Sequence, residues 1–120
     1  MHRVLVVDDH VEVRAAIVTM LRADGFRVVG EGSNAEEALI AARRTRPGVV
    51  LLDIRLPGPD GFAVALELSR LTPSPRVVLM SSRDARVYGP DLERSTAHAF
   101  IAKSDLSGAT LRHVLGDTTS

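Results

Sequence analysis

The chain has 120 residues, the length of one ordinary domain, and its 45% of apolar residues is enough to form a core. Its 15 basic and 15 acidic residues cancel, so we expect no direct contact with nucleic acid, which favours a concentrated positive surface. Cysteine is absent, which excludes disulfides and Cys-ligated zinc. The N-terminal apolar run is too short for a signal peptide or a membrane span. We therefore predict a cytoplasmic protein without membrane contact.

Five short apolar runs along the chain predict β-strands. They lack the alternation of apolar and polar residues, and several are rich in valine, which is typical of strands that are buried on both faces of a parallel sheet. The predicted strands cover residues 4–7, 27–30, 49–52, 77–80 and 99–102.

The segments between these runs have apolar residues at helical spacing. The second predicted helix begins at a capping box, Ser33–Glu36, the third covers 60–71 and the last covers 106–115. Strands that alternate with helices predict a doubly wound α/β domain with a five-stranded parallel sheet over residues 1–116, and residues 117–120 are a tail or the start of a linker. The residues predicted to face inward are Val13, Ile17, Met20 and Leu21 in the first helix, Ala35, Ala38, Leu39 and Ala42 in the second, Phe62 and Leu66 in the third, and Leu111, Val114 and Leu115 in the last.

The segment after the fourth strand departs from this regular alternation. Tyr88, Gly89 and Pro90 stand where a fourth helix is expected. Proline removes a hydrogen bond inside a helix and disfavours helical backbone in the residue before it. We therefore predict an atypical fourth helix that is short, displaced or mobile and restarts near Pro90 at its first turn.

Polar side chains follow four of the five predicted strands, each at the point where the strand ends. Asp8 and Asp9 follow the first strand, Asp53 the third, Ser81 the fourth and Lys103 the fifth. Because ligands bind at the carboxyl ends of the strands in a doubly wound sheet, we expect these side chains to lie close together. A single polar residue at a strand end is usually a solvated loop residue, and Asp9 alone could cap a helix, but five on one edge favour a binding site.

Three clustered aspartates need positive charge between them, since like charges about 4 Å apart cost roughly 4 kcal/mol at an effective dielectric constant of about 20. A divalent cation and Lys103 would supply it. Oxygen ligands without cysteine or clustered histidine favour a hard cation, so we predict an Mg²⁺ site beside a lysine. His10 is the histidine nearest to this site in sequence, and we expect it to be an exposed loop residue.

Four motifs together resemble the receiver domains of response regulators in two-component signalling. The motifs are Val-Asp-Asp-His at 7–10, Leu-Asp-Ile-Arg-Leu-Pro-Gly-Pro-Asp-Gly at 52–61, Leu-Met-Ser at 79–81 and Ala-Lys at 102–103. The resemblance covers essentially the whole chain and implies a flavodoxin-like fold. Val13-Arg14 and the Ser-Asp-Leu after Lys103 look most like the subfamily with LuxR-type helix-turn-helix output domains.

The resemblance implies a role for each residue at the strand ends. Asp53 matches the phosphoacceptor, and Ser81 and Lys103 match the residues that bind the phosphoryl group. Phe100 and Ser81 match the pair that switches conformation. The implied Mg²⁺ ligands are Asp8, Asp9, Asp53 and the backbone carbonyl of Arg55.

The resemblance implies a signalling phosphoacceptor that catalyses only its own phosphorylation and dephosphorylation and controls an output, with transcription as the implied output. Its implied partners are a sensor histidine kinase and its own output domain, of LuxR type and beyond residue 120, and a homodimer is a further expectation. One alternative is a pseudo-receiver that signals without phosphate, but such domains typically lose an acidic residue or the lysine. Another is a phosphatase of the haloacid-dehalogenase type, which places Asp-x-Asp after its first strand, whereas Asp8 and Asp9 are adjacent.

Overall fold

The computed structural model describes residues 2–117, and these form one sheet of five parallel strands with helices on both faces. Of the tail expected at 117–120, residues 118–120 lie outside the described part. The strands are β1 (Arg3–Val7), β2 (Arg27–Gly32), β3 (Val49–Asp53), β4 (Arg76–Ser81) and β5 (Ala99–Ala102). The helices are α1 (Val11–Ala23), α2 (Ala35–Thr45), α3 (Gly61–Ser69), α4 (Pro90–Arg94) and α5 (Gly108–Val114).

The strand order in the sheet is β2-β1-β3-β4-β5, with every neighbouring pair parallel. The chain moves outward from β1 to β2 and then crosses back to β3, so the order reverses between β1 and β3. That reversal is the topological switch point at which ligands bind in open α/β sheets. The predicted doubly wound parallel sheet is confirmed.

Successive residues of the central strands face opposite sides of the sheet and enter two separate cores. Leu5 and Leu52 pack with α2 and α3 on one side, whereas Val6 and Leu51 pack with α1 and α5 on the other. This explains why β1 and β3 are apolar runs without alternation. Among the described residues, no helix is long and apolar enough to span a bilayer.

Two residues expected to face inward do not. Val13 in α1 is 39% exposed and Leu66 in α3 is 44% exposed. In α3 the buried positions are Gly61, Val64, Ala65 and Leu68, and Phe62 is only half-buried, so the core stripe lies one position away from the expected one. The error arises because α3 is apolar nearly all round, which leaves its periodicity ambiguous.

The predicted capping box at the start of α2 is wrong by one residue. Asn34, not Ser33, caps the helix, and its side-chain oxygen accepts a hydrogen bond from the backbone N–H of Glu37 at 2.9 Å. Ser33 instead donates its N–H and hydroxyl to the Glu37 carboxylate at 2.8 and 2.6 Å. Asparagine and serine cap equally well, so the local sequence left the choice between them open.

The last helix is shorter than the expected 106–115. A 3-10 turn at Lys103–Asp105 precedes it, and Ser107 caps α5 through the backbone N–H of Thr110 at 3.0 Å. Leu111 and Leu115 are buried as predicted, while Val114 is half-buried.

The predicted irregularity after β4 is confirmed. A 3-10 turn covers Ala85–Val87, and α4 has only five residues, with Pro90 in its first turn. Gly89, which precedes it, has a φ of 52°, a backbone conformation that favours glycine. The segment of residues 83–98 therefore holds one short helix in the place of a regular one.

Candidate functional site

The two central strands bring the aspartates together at the switch point. Asp8 follows β1 and is fully buried, Asp53 ends β3 and is 2% exposed, and Asp9 lies at the rim. Carboxylate oxygens of these three residues and a ring nitrogen of His10 all lie within 4.8 Å of one another. The sequence therefore predicted correctly that the three carboxylates form one cluster.

Three hydrogen bonds hold the buried Asp8 in place. The backbone N–H of His10 donates to Asp8 Oδ1 at 2.9 Å. The guanidinium of Arg14 donates to the backbone carbonyl of Asp8 at 2.7 Å, and the backbone N–H of Asp8 donates to Gly32 at the end of β2 at 3.0 Å. Asp8 is thus held on both sides by its own loop and the neighbouring strand.

The two carboxylate oxygens of Asp53 have different partners. Oδ1 accepts the backbone N–H of Arg55 at 3.0 Å, and Oδ2 accepts the ammonium of Lys103 at 3.0 Å. Burial raises the pKa of the Asp53 carboxyl, because desolvation outweighs the hydrogen bonds from Lys103 and Arg55. A buried carboxylate with so few donors is costly in its charged form and gains from additional positive charge.

Lys103 supplies the one ammonium in this cluster, and it is the only lysine of the sequence. Its Nζ lies 3.0 Å from Asp53 Oδ2 and 2.8 Å from Asp8 Oδ2. Desolvation opposes its charge, but hydrogen bonds and attraction from Asp8 and Asp53 outweigh that effect and raise its pKa. Lys103 is therefore charged and bridges β1 and β3 from the end of β5.

The carboxylate oxygens left over fit a cation. Within residues 2–117, Asp8 Oδ2 and Asp9 Oδ1 are buried without a well-aligned hydrogen-bond donor, although Lys103 is in ion-pair distance of the former and the His10 ring of the latter. Three carboxylates and one ammonium leave net negative charge in a buried place. An oxygen-rich, acidic cluster of this kind suits Mg²⁺. The backbone carbonyl of Arg55 remains a predicted ligand.

The structure assigns His10 a closer place than the sequence suggested. Its side chain is 67% exposed, as expected for a loop residue, but Nδ1 lies 3.1 Å from Asp9 Oδ1 and 3.3 Å from Asp8 Oδ1. No periodicity or spacing pointed to this contact, although the adjacency of Asp9 and His10 was visible in the sequence.

Ser81 lies beside the acidic cluster at the end of β4. The sheet register pairs Asp53 with Met80, and the backbone N–H of Ile54 donates to the Met80 carbonyl at 3.0 Å, so Ser81 is one residue further along the neighbouring strand. Ser81 is fully buried, and its Oγ accepts the backbone N–H of Arg83 at 3.0 Å. The structure thus places the predicted hydroxyl next to the predicted phosphoacceptor.

In the sequence, Tyr88 stands out only as part of a predicted helix break. Its hydroxyl hydrogen-bonds with Ser81 Oγ at 2.5 Å. Its ring lies between Phe62 of α3, with centroids 5.8 Å apart, and Phe100 of β5, with centroids 6.3 Å apart. Tyr88 therefore connects the irregular segment to both the site and the half-buried Phe100. Its being the single tyrosine of the chain was the one available signal.

Sequence relatives identify the type of protein. The chain matches the family described as response regulator receiver domain over residues 4–114. The response regulator GacA of Pseudomonas protegens is 38% identical over 104 residues, which are 86% of this chain and 49% of that protein. GacA of Pseudomonas aeruginosa is 36% identical with the same coverage. The chain spans about half the length of these curated relatives.

Solved structures support the same assignment. A two-component response regulator of the LuxR family from an Aurantimonas species superposes with a TM-score of 0.81 at 25% identity, covering 97% of this chain and 86% of that one. The response regulator domain of Thermotoga maritima CheB has a TM-score of 0.83 at 22% identity, covering 98% and 96%, and shows the fold alone. These likenesses confirm the flavodoxin-like receiver fold that the motifs implied.

Proposed function

Since the chain belongs to the response regulator receiver family, we propose that it accepts a phosphoryl group on Asp53 in an Mg²⁺-dependent reaction and changes conformation as a result. The observation that carries this proposal is that the ammonium of Lys103 bridges the buried carboxylates of Asp53 and Asp8. A carboxylate in this position is a competent covalent phosphate acceptor.

The transfer breaks one bond and forms another at phosphorus. An oxygen of Asp53 forms the new P–O bond while the P–N bond to a phosphohistidine of a sensor kinase breaks. The electron pair of that bond stays on the imidazole, which takes up a proton. With acetyl phosphate as the donor, the leaving group is acetate. Such transfers need charge neutralisation and alignment more than proton transfer by the acceptor.

Asp8, Asp9, Asp53 and the Arg55 carbonyl would hold Mg²⁺, which when bound neutralises charge on the oxygens of the transferring group. Lys103 already contacts Asp53 and needs only a small shift to pair with a phosphoryl oxygen. Ser81 would donate its hydroxyl hydrogen to another phosphoryl oxygen. Through these two contacts the ends of β4 and β5 respond to the new charge, and Phe100 of β5 follows them.

We propose that residues 1–116 act as the receiver, with a sensor histidine kinase as phosphate donor and a LuxR-type DNA-binding domain after residue 120 as the output that controls transcription. Dimerisation of phosphorylated chains would couple the two. The receiver itself catalyses only its own phosphorylation and dephosphorylation. A pseudo-receiver is not supported, because the three aspartates, the serine and the lysine are all retained.

The test is the intact mass of the chain after incubation with acetyl phosphate and Mg²⁺. We expect the mass of one phosphoryl group on the natural chain, and no added mass on Asp53→Asn or when a chelator removes Mg²⁺. Asp91→Asn is the matched control, since Asp91 is exposed in α4 and should leave the reaction unchanged. No added mass on the natural chain, from acetyl phosphate or from a phosphorylated histidine kinase, would contradict the proposal, and so would phosphorylation of Asp53→Asn.

A further inference from the structure

The hydroxyl of Ser81 has two hydrogen-bond partners in the interior. The backbone N–H of Arg83 donates to its Oγ at 3.0 Å, and the Tyr88 hydroxyl lies 2.5 Å from the same oxygen. A serine hydroxyl has one hydrogen to donate and two lone pairs to accept with. One lone pair of the Ser81 oxygen accepts the N–H of Arg83. The direction of the hydrogen bond with Tyr88 then decides whether Ser81 keeps its hydrogen or its second lone pair for another partner.

The geometry allows either hydroxyl to donate, and the chemistry of the two groups favours one direction. A phenol is a stronger acid than an aliphatic alcohol and hence the better hydrogen-bond donor. In that direction Tyr88 donates and Ser81 accepts. Both lone pairs of Ser81 are then used, and its own hydrogen is the one capacity left. That hydrogen is free to donate to an oxygen bound at the neighbouring Asp53.

We propose that Tyr88 is a positioning residue that orients the Ser81 hydroxyl as a donor to the phosphoryl group on Asp53 and moves with Ser81 when that group arrives. The inference rests on the proposed function, and it adds a residue that the family motifs did not mark. Phe100 cannot form this hydrogen bond to Ser81, because phenylalanine has no hydroxyl.

The position of Tyr88 in the fold gives the movement a consequence. Its backbone N–H donates to Ala85 at 3.1 Å, and its carbonyl accepts the N–H of Asp91 in α4 at 3.1 Å. Tyr88 thus joins the 3-10 turn to α4, while its ring contacts Phe62 and Phe100. A shift of Ser81 toward a phosphoryl oxygen draws Tyr88 with it and displaces the start of α4. The short helix is then connected to the phosphate through the side chains of Ser81 and Tyr88.

The composition of the chain offers a direct probe of this residue. Tyr88 is the only tyrosine and there is no tryptophan, so ultraviolet fluorescence of the unlabelled chain reports Tyr88 alone. The chain is first saturated with Mg²⁺ and then titrated with beryllofluoride, which imitates the phosphoryl group. We expect the tyrosine emission to change with saturation, and no change in Asp53→Asn at the same concentrations.

Two serine variants test whether the signal passes through the hydrogen bond. Ser81→Ala, measured at beryllofluoride concentrations that calorimetry shows to saturate this variant, should show no fluorescence change, because the partner that moves Tyr88 is gone. Ser82→Ala is the matched control, since Ser82 is the exposed neighbour of Ser81, and it should respond as the natural chain does. A full fluorescence change in Ser81→Ala would overturn the inference.

Tyr88→Phe tests the positioning itself, because it keeps the ring contacts and removes only the hydroxyl. Loss of one oriented hydrogen bond should weaken beryllofluoride binding about threefold to tenfold, measured by calorimetry in saturating Mg²⁺. The affinity for Mg²⁺ alone should stay unchanged, which a general loosening of the site would not allow. Unchanged beryllofluoride binding would contradict the proposal. Tighter binding would also contradict it, because it would mean that Tyr88 competes with beryllofluoride for the Ser81 hydroxyl instead of orienting that hydroxyl.

The intact-mass experiment separates this inference from the proposed function. If acetyl phosphate adds no mass to the natural chain, the phosphoacceptor function fails. If mass is added at Asp53 while the emission of Tyr88 stays constant, the function stands and the role of Tyr88 is rejected.

Discussion

Asp53 ends a strand in which all five residues are buried, whereas Tyr88 lies in a segment, 83–98, whose side chains are mostly exposed. The first region is held by the sheet and by two packed layers of helices. The second is held by a five-residue helix, a 3-10 turn and a few aromatic contacts. The two regions meet at the buried hydroxyl of Ser81. A phosphate-driven switch requires a rigid phosphoacceptor and a responding segment of low local stability, because only such a segment can shift at a small cost in free energy.

The largest expected effect compares one leucine from each region. Leu51 in β3 is fully buried, so Leu51→Ala should lower the free energy of unfolding by about 3 kcal/mol through lost burial and a cavity. Leu92 in α4 is only half-buried, and Leu92→Ala should cost no more than about 1 kcal/mol. Denaturant unfolding of both variants measures the difference. Equal costs would show that the segment after β4 is as firmly held as the sheet, which would break the comparison.

The second prediction concerns the single ammonium that holds the acidic region together. Lys103→Met leaves the Asp8 and Asp53 carboxylates without their shared cation, and should destabilise the metal-free chain by about 2 kcal/mol. Added Mg²⁺ should restore part of that loss, since it binds the folded state and replaces the missing charge.

Arg27→Met serves as the control for Lys103→Met. It removes an exposed basic residue of β2 and should have little effect with or without Mg²⁺. Thermal unfolding in chelator and in Mg²⁺ measures both variants. A Lys103→Met chain that stays equally unstable in Mg²⁺ would argue against a cation site among the three aspartates.

A smaller effect is expected from the buried acceptor itself. Burial raises the pKa of the Asp53 carboxyl in the folded chain above its value in the unfolded chain. The buried carboxyl therefore does not lower the free energy of unfolding at a pH below the unfolded-state pKa. It lowers the free energy of unfolding as the pH rises through the raised folded-state pKa. Asp53→Asn lacks this penalty and should be more stable than the natural chain by about 1 kcal/mol at pH 7 in metal-free buffer. The difference should shrink toward pH 4. Chemical unfolding at the two pH values measures it, and a less stable Asp53→Asn at pH 7 would contradict the assigned pKa direction.

The same contrast explains how much could be predicted from the sequence. Apolar runs in the sequence predict the strands, and a parallel sheet brings the carboxyl ends of its strands to one edge. The clustering of Asp8, Asp53 and Lys103, which stand at those ends, could therefore be predicted. Pro90 predicted the restart of α4, because its effect is local and steric. The wrong inward assignments of Val13 and Leu66 come from helices with apolar residues on several faces. The contact between Tyr88 and Ser81 could not be predicted, since it depends on how a segment without regular periodicity folds back over β4.

The most direct test of the account is amide hydrogen exchange of the full chain with Mg²⁺, with and without beryllofluoride. Besides slower exchange at the loop after Asp53, we predict the main change in exchange over residues 81–103, with the amides of β1 and β3 as protected as before. Asp53→Asn should show neither change. Two results would contradict the claim that phosphorylation of Asp53 in the rigid sheet changes the conformation of the less stable segment after β4. One is a change in exchange spread evenly over the sheet. The other is a change confined to the residues around Asp53, with none in the segment after β4.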